Sequence, residues 1–355
     1  IRLITRNAND RFDRAFWKRK VQWAWNYRKT VMGVDASACR VLFSEADGFP
    51  GLVVDRFEDV LVAETLSVGM ERLKPMIFPA LLEVLSEDGI AIRGLYERND
   101  ASTRSLEGLA QTAGWFAGTA EDAACSLDPI NPSQPEAAVF GPTTTQIMEN
   151  GVRYEVDFEN GQKTGFFLDQ RENRELVRRY SSGRAVLNTF SYTGGFSVYA
   201  LAGGAERVVS VDSSAGAVRL AERNVALNFG DGAPHEGVAV DAFDYLKGMD
   251  GSFDLVILDP PAFAKHHKVL GNAMKGYMRL NARALSQIAP GGILFTFSCS
   301  QAVSRELFRT AVFTAAAVAG RNVRILHQLT QPADHPVNIY HPEGEYLKGL
   351  VLYVE

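Results

Sequence analysis

The sequence predicts an α/β protein in which a doubly wound, mostly parallel sheet follows a smaller α+β domain. From about Val152 onward, short apolar runs alternate with helix-like runs, a pattern typical of parallel sheets with crossover helices. Ligands of such sheets bind beyond the carboxyl ends of the strands. The predicted strands cover residues 185–190, 207–211, 237–240, 255–258 and 292–297, and the predicted helices cover residues 196–202, 215–228, 273–288 and 304–319.

The N-terminal half of the chain has a different pattern. Basic and aromatic side chains at mixed spacings of three and four predict a helix over residues 11–31. Short strands between residues 39 and 66, a helix over 73–85 and a strand over 91–96 complete an α+β domain spanning residues 9–116. A proline-rich stretch then predicts a linker or insertion over residues 117–146, which leaves residues 147–355 for the C-terminal domain. Its prolines are Pro129, Pro132, Pro135 and Pro142.

Composition excludes several classes of protein. Of the 355 residues, 46% are hydrophobic and 22% are charged, which indicates a globular chain of at least two domains rather than a disordered one. No apolar run approaches the length of a membrane span, so no membrane partner is expected. Three cysteines, Cys39, Cys125 and Cys299, are too few for a disulfide framework. They indicate a reducing compartment, and a cytoplasmic location is the default expectation.

The net charge of −5 is unevenly distributed. Residues 1–34 contain nine Arg or Lys against Asp10 and Asp13, which gives this segment a charge of +7 and the rest of the chain −12. A basic segment of this kind is able to contact nucleic-acid phosphates. Arg171, Arg174, Arg178 and Arg179 are further candidates, and a solvated helix face is the alternative for them.

Three predicted strand ends carry residues that suit an adenosine ligand. Gly194 and Gly195 follow the first strand and allow close backbone approach at the start of a helix. Asp212 ends the next strand, where an acid accepts hydrogen bonds from ribose hydroxyls, and Asp241 ends the third, where an acid can accept from the adenine amine. A plain turn and two helix-capping acids remain the alternatives.

Two further strand ends carry the candidate chemistry. Asp259 follows the apolar run 255–258, and Pro260 and Pro261 then fix the backbone so that the acid points into the cleft. Cys299 lies between two serines after the strand 292–297, in the strand expected to neighbour that of Asp259. We interpret this thiol as a nucleophile, with a buried structural thiol as the alternative.

Together these segments resemble the class I S-adenosylmethionine-dependent methyltransferases, whose sheet is Rossmann-like and seven-stranded. More narrowly, the chain is similar to the bacterial PUA-domain family that makes 5-methylcytosine in large-subunit (23S) ribosomal RNA. The resemblance implies S-adenosylmethionine as cofactor and ribosomal RNA as partner, and it is compatible with a homodimer. It also implies an RNA-binding PUA domain upstream, of which residues 1–8 would be the remnant, with residues 1–5 as its last strand. The matching segments are 163–171, 188–196, 211–212, 241–243, 259–261, 297–300, 333–336 and 346–349.

The resemblance also assigns roles to residues. Cys299 would add to C6 of the cytosine, and Asp259 would hold the amide edge of the base. Lys163, Pro260 and Pro261 would contact the substrate base. The position that carries a second, product-releasing cysteine in many related enzymes is Pro261, so the base that removes the C5 proton is unassigned, with His335 a candidate by residue type only. The cofactor contacts implied are Phe167, Gln170, Arg171, Phe190, Ser191, Tyr192, Thr193, Gly194, Gly195, Asp212, Asp241, Ala242, Phe243 and Asp259.

Two other functions are compatible with the sequence. A methyltransferase acting on guanine N7 or a purine amine would need no thiol, and Phe263 near the Asp-Pro-Pro segment suits amine methylation. A non-catalytic RNA-binding or ribosome-assembly protein would have no reason to keep both Asp259 and Cys299. No metal site is expected, because no His, Cys and Asp cluster has ligand spacing, and His266 and His267 are expected at the surface.

Overall fold

The computed structural model describes residues 3–33, 36–117, 140–264 and 269–355. The chain divides into two compact units, and the grouping is not linear. Unit 1 comprises Ile1–Glu149, Glu155–Leu168 and Ala333–Gly344, and unit 2 comprises Asn150–Tyr154, Asp169–Pro332 and Glu345–Glu355. Segments 155–168 and 333–344, predicted within the C-terminal domain, therefore belong to unit 1. Most of the predicted linker, together with Cys125, His266 and His267, lies outside the described residues.

Unit 1 is an α+β structure. Its described part contains a sheet of five strands in the order β1-β2-β3-β4-β5, with the pair β3 and β4 parallel and the other pairs antiparallel. Trp17 and Trp25 of the first helix and Phe78 of the third are buried in its core. The elements are α1 (Arg14–Met32), β1 (Ala38–Phe43), α2 (Ser44–Asp47), β2 (Leu52–Phe57), β3 (Val60–Thr65), α3 (Val68–Glu87), β4 (Gly94–Asn99) and β5 (Thr112–Trp115).

The helices of unit 1 begin at side-chain caps. The Asp13 carboxylate accepts a hydrogen bond from the Phe16 amide at the start of α1, and Ser67 accepts one from Met70 at the start of α3. The strand predicted over residues 1–5 is not formed by residues 3–5. The Thr5 hydroxyl and the Asn7 amide instead donate to Asp10, which folds this segment into a turn.

Much of the basic charge of α1 is paired with acidic side chains of α3 and of the residue that caps its C-terminus, Asp88. Arg14 and Lys18 pair with Glu83 at 3.0 and 2.8 Å, and Lys29 pairs with Asp88 at 2.6 Å. Lys18 also reaches Glu87 at 2.6 Å. The +7 of the N-terminal segment is thus partly neutralised within unit 1, because the acids that balance it come from residues 83–88.

Unit 2 confirms the predicted doubly wound fold. Among its described residues a sheet of seven strands has the order β10-β9-β8-β11-β12-β14-β13. Strands β10, β9, β8, β11 and β12 run parallel, and β14 pairs antiparallel with both β12 and β13. The elements are α4 (Arg171–Tyr180), β8 (Ala185–Thr189), α5 (Gly195–Ala202), β9 (Arg207–Asp212), α6 (Ala215–Phe229), β10 (His235–Ala239), α7 (Ala242–Lys247), β11 (Leu255–Leu258), α8 (Leu270–Gln287), β12 (Gly292–Ser298), α9 (Arg305–Ala319), β13 (Val323–Thr330) and β14 (Lys348–Val354).

The remaining two strands form a hairpin. β6 (Thr144–Glu149) and β7 (Val152–Asp157) pair as a separate sheet around Asn150 and Gly151, both with positive φ. An Asn-Gly pair is the usual two-residue turn of such hairpins, since both residues tolerate this backbone conformation. In the described ranges, no helix has the length and apolar character needed to cross a bilayer.

Replacement of Arg28 by Met is expected to destabilise unit 1 by about 3–5 kcal/mol, because it leaves a buried carboxylate without its cation. The Arg28 side chain is fully buried, contacts Asp47 at 2.6 Å, and donates to the carbonyls of Arg40 and Asp334 at 2.7 and 3.0 Å. All four tryptophans of the chain lie at positions 17, 23, 25 and 115, so tryptophan fluorescence during urea unfolding reports on unit 1.

The matched control for this variant is Lys29→Met on the same helix. The Lys29–Asp88 pair is solvent-exposed, and its loss is expected to change the stability by less than about 1 kcal/mol. Equal unfolding midpoints for the two variants would contradict the importance assigned to Arg28.

Candidate active site

The loop after β8 has the backbone needed for close approach of a ligand. Phe190, Tyr192 and Gly194 all have positive φ, of 55°, 46° and 76°. The Ser191 amide donates to the carbonyl of Val211 at 3.0 Å, which ties this loop to the end of β9. A Cβ atom on Gly194 would lie 2.8 Å from the Cβ of Ala221 in α6, so this position requires glycine.

Asp212 at the end of β9 organises the adjacent loops. Its carboxylate accepts hydrogen bonds from the backbone amides of Tyr192 and Ser214, each at 2.9 Å. The cap of α6 is Ser214, whose hydroxyl accepts from the Ala217 amide. The capping alternative for Asp212 is therefore wrong, and its position at the strand end is that predicted for a ribose-binding acid.

Asp241 has the capping role that was the alternative for it. Its Oδ1 accepts from the amides of Phe243 and Asp244 at 2.8 and 3.2 Å at the start of α7. Next to this cap, Ala242 is buried, and the ring of Phe243 lies 6.4 Å from that of Phe190 and 6.3 Å from that of Phe263. The three partly buried rings form a row along the carboxyl ends of β8, β10 and β11.

Asp259 is held by a chain of amide side chains. Gln170 donates through Nε2 to Oδ2 of Asp259 at 2.9 Å, and Asn173 donates to Oε1 of Gln170 at 2.6 Å. Both amides are buried, while Asp259 is partly exposed. Gln170 was predicted as a cofactor contact, and in the structure its side chain orients the carboxylate of Asp259. Pro260 is buried and Pro261 is exposed.

The loop after β12 presents the Cys299 thiol. Cys299 is partly exposed, whereas Ser298 and Ser300 on either side are fully buried. Both serine hydroxyls bond to the hydroxyl of Tyr277 from α8 at 2.9 Å, and the amide of Ala264 donates to Ser300 Oγ at 3.3 Å. Of the two cysteines that the structure describes, the buried one is Cys39, which is 0% exposed.

Two predicted site residues belong to unit 1. Lys163 and Phe167 form a cation–π contact there, with the Nζ atom 4.4 Å from the ring centroid. Gly165 between them has φ of 123° and packs against the backbone of Asp157, where a Cβ atom would lie 3.0 Å from the carbonyl oxygen. His335 also belongs to unit 1, where it is buried, contacts Asp334 at 3.0 Å and lies against the Phe43 ring.

The arginines of α4 divide into two groups. Arg171 and Arg174 are 5% and 2% exposed, so a solvated face is wrong for them and direct phosphate contact is also excluded by their burial. Arg174 instead packs beside Gly195, where a Cβ atom would lie 3.3 Å from Arg174 Cδ. Arg178 is partly exposed and Arg179 is exposed, so these two keep the predicted accessibility.

Sequence reasoning missed several residues of this region. Tyr277 holds the Cys299 loop through Ser298 and Ser300, and Asn173 orients Gln170. Tyr346 donates to the buried carboxylate of Asp169 at 2.6 Å. Lys348 donates from Nζ to the carbonyl of Ser300 at 2.6 Å. The sequence feature that could have indicated Lys348 is a lysine at the start of an apolar strand, within a segment that resembles the family but had no assigned role.

Within the described ranges no group of three or more His, Cys, Asp or Glu side chains is arranged to hold a metal.

Gly194→Ala is expected to destabilise unit 2 by about 1–3 kcal/mol, because the new methyl group clashes with Ala221 in α6. The positive φ of this position adds strain for any residue with a Cβ atom. Thermal unfolding followed by circular dichroism measures the change. Gly216→Ala in the first turn of α6 is the control, since its Cβ atom meets nothing closer than 3.7 Å and the substitution favours the helix by up to about 1 kcal/mol. A Gly194→Ala melting temperature at or above that of Gly216→Ala would refute the packing argument.

Comparison with solved structures confirms the fold class. The protein SMU.776, whose structure is in complex with SAH, aligns with a TM-score of 0.80 at 24% identity, over 99% of this chain and 84% of its own. A protein from Streptococcus mutans described as a SAM-dependent methyltransferase aligns with a TM-score of 0.79 at 24% identity, over the same shares. Trm5b from Pyrococcus abyssi aligns with a TM-score of 0.56 at 18% identity, over 84% of this chain and 73% of its own.

Sequence comparison is more specific. Residues 93–340 match the model of the S-adenosylmethionine-dependent methyltransferase family. The protein named ribosomal RNA large subunit methyltransferase I from Aeromonas salmonicida is 39% identical, over 99% of this chain and 83% of its own length. The protein of the same name from Cronobacter sakazakii is 38% identical, over 99% of this chain and 84% of its own length. The chain belongs to the S-adenosylmethionine-dependent methyltransferases, in the family that includes these two proteins.

Proposed function

We propose that this enzyme transfers a methyl group to carbon 5 of a cytosine in large-subunit ribosomal RNA, through a covalent bond between Cys299 and C6 of the base. The observation that carries this proposal is the Cys299 thiol, partly exposed between two buried serines at the end of β12, next to the strand that ends before Asp259. The names of the relatives support ribosomal RNA of the large subunit as the substrate class.

The strand ends of unit 2 fit S-adenosylmethionine. Asp212 is a partly exposed carboxylate at the strand end where an acid would accept hydrogen bonds from ribose hydroxyls, and the row formed by Phe190, Phe243 and Phe263 would offer an apolar wall for an adenine ring. Asp241 uses Oδ1 for both capping bonds, which leaves Oδ2 to accept from the adenine amine. When bound, the cofactor supplies an electrophilic methyl group on its sulfonium.

The thiol solves a problem of reactivity. Carbon 5 of cytosine is a weak nucleophile because the ring electrons are drawn toward the carbonyl and the ring nitrogens. Attack of the Cys299 thiolate on C6 forms the S–C6 bond and moves the C5–C6 π pair toward C5, which makes C5 the nucleophile. After methylation, a general base takes the C5 proton, the C–H electron pair restores the C5–C6 double bond, and the S–C6 bond breaks to release the thiolate.

In this proposal Asp259 assists the addition. A carboxyl group at the amide edge of cytosine bonds to the exocyclic amine and favours protonation at N3, which disperses the negative charge that the addition creates. Gln170 and Asn173 hold the carboxylate in one orientation, so little reorganisation is needed during the reaction. The target base must leave its stack or come from a single-stranded region to reach these groups.

The purine alternative, at guanine N7 or an exocyclic amine, needs no thiol, and its amine form would use Phe263 as the aromatic residue beside the base. The ring of Phe263 instead packs against Tyr277 with centroids 4.6 Å apart, and the Gly276 backbone lies directly beside it. These contacts favour a packing role for Phe263. The alternative of a non-catalytic RNA-binding protein is disfavoured by membership of a methyltransferase family.

Cys299→Ala is expected to abolish methyl transfer while S-adenosylmethionine still binds, because the variant lacks the nucleophile but keeps the strand ends that hold the cofactor. Transfer is measured with labelled cofactor and large-subunit ribosomal RNA, and binding by calorimetry. RNA carrying 5-fluorocytosine should form a covalent adduct with the wild-type enzyme and none with the variant, because fluorine at C5 prevents the final elimination.

Cys125→Ser is the control for this experiment, because it removes a thiol that has no assigned role. It is expected to keep both transfer and adduct formation. Methylation by Cys299→Ala at near the wild-type rate would exclude the covalent mechanism and favour the purine alternative.

Asp212→Asn is expected to weaken S-adenosylmethionine binding about tenfold, which corresponds to about 1.4 kcal/mol, because the amide loses one acceptor for the ribose hydroxyls. Calorimetric titration with the cofactor measures this change. Asp250→Asn in the exposed turn before β11 is the matched control and should bind as the wild type does. Unchanged affinity in Asp212→Asn would remove Asp212 from the cofactor site.

A further inference from the structure

Lys348 is a buried lysine beside the Cys299 loop. It begins β14, opposite Ser298 on β12 and Thr330 on β13, and only 6% of it is exposed. Its Nζ atom donates to the carbonyl oxygen of Ser300 at 2.6 Å. The pairing of β14 with β12 therefore brings a cationic side chain to the base of the loop that carries Cys299.

The surroundings of Lys348 do not account for a buried ammonium. In the part of the chain that the structure describes, no carboxylate lies within 4.0 Å of Nζ, and its hydrogen-bond partner is a neutral carbonyl. Burial lowers the pKa of Lys348 to about 8. The charge of Cys299 is the largest influence that opposes this shift, followed by that of Glu345, while Arg305 adds to the shift.

Several other charged or ionisable groups lie near Lys348. Arg305 forms a salt bridge with Glu345, and Glu306 and Arg309 of α9 line a cleft with Lys348 on the side of β13. Tyr277 reaches the loop through Ser298 and Ser300, and burial raises the pKa of its hydroxyl, so it is neutral near pH 7. The hydrogen bond from Lys348 to the carbonyl of Ser300, the residue after Cys299, makes the Cys299 thiolate a partner for this ammonium.

We propose that the Lys348 ammonium stabilises Cys299 as a thiolate and so prepares it for addition to C6 of the target base. This inference rests on the proposed function, and it makes Lys348 a positioning residue that acts through Cys299. A thiol is a far weaker nucleophile than its thiolate, so a fixed cation near the sulfur raises the reactive fraction at neutral pH.

The coupling between the two groups is reciprocal. Because a Cys299 thiolate favours the protonated form of Lys348, a Lys348 ammonium favours the ionised form of Cys299 to the same extent. The thiol proton leaves to solvent, and the ammonium keeps its three protons. The S–C6 bond then forms from the sulfur lone pair, and the same pair returns to sulfur when the bond breaks. The ammonium therefore stabilises the Cys299 thiolate both before the addition and after the release of product.

The test measures the ionisation of Cys299 without RNA or cofactor. The rate of iodoacetamide alkylation is followed from pH 5.5 to 9.5 by mass spectrometry of the peptide containing Cys299, in the wild type and in Lys348→Met. The variant is expected to show an apparent pKa about one unit higher and about tenfold slower alkylation at pH 7. Its kcat for methyl transfer should fall while its Kd for S-adenosylmethionine stays the same.

Two further variants make the result decisive. Lys348→Arg keeps a cation and should stay close to the wild-type profile, and Lys247→Met removes an exposed lysine of α7 and should leave the profile unchanged. If Lys348→Met does not fold, Lys348→Gln, which keeps a donor for the Ser300 carbonyl, replaces it in the same measurement. An unchanged apparent pKa in a folded, uncharged variant overturns the inference, whereas an active Cys299→Ala enzyme overturns the proposed function.

Discussion

The parallel register of three central strands is the constraint on which the site of unit 2 depends. Leu258 at the end of β11 pairs with Thr189 on β8 and with Thr296 on β12, so the three strands end at almost the same level. The next residues along each strand, including Asp259 and Cys299, must therefore emerge at one edge of the sheet. β11 is buried and apolar throughout and β12 is buried throughout, and a shift in register would misalign their packed side chains, so the positions of the residues that follow depend on this packing.

Local pattern was sufficient to predict the central strands and the residues that end them. β11 matches its prediction of residues 255–258 because an apolar run of four residues with Val and Ile at its centre is too short for a helix and favours a strand. Gly194, Asp212 and Asp259 do lie at the carboxyl ends of their strands, as predicted, and their contacts with a ligand stay a prediction. β10 begins two residues and ends one residue earlier than predicted, because its actual start at His235 is polar: the imidazole bonds to the buried Ser210 hydroxyl at 2.7 Å.

Contacts between distant parts of the sequence were beyond prediction. Lys348 meets the Ser300 carbonyl across 48 positions of sequence, through an antiparallel pairing that no local pattern specifies. The burial of Arg171 and Arg174 was also missed, because a helix with so many charged residues is expected to be exposed to solvent. In unit 1 the basic character of α1 was evident, but its neutralisation by Glu83, Glu87 and Asp88 required knowledge of how α1 packs on α3.

The distribution of unit 1 along the chain has a consequence for biosynthesis. Arg28, buried near the N-terminus, donates to the carbonyl of Asp334, and the Arg40 amide donates to the carboxylate of the same residue at 3.0 Å. Because the ribosome makes residue 334 some three hundred residues after residue 28, these bonds form only after residues 29–333 have been synthesised. Unit 1 is thus completed only after the long segment 169–332 of unit 2 has been made, and a nascent chain that stops before residue 333 lacks these partners of Arg28 and Arg40.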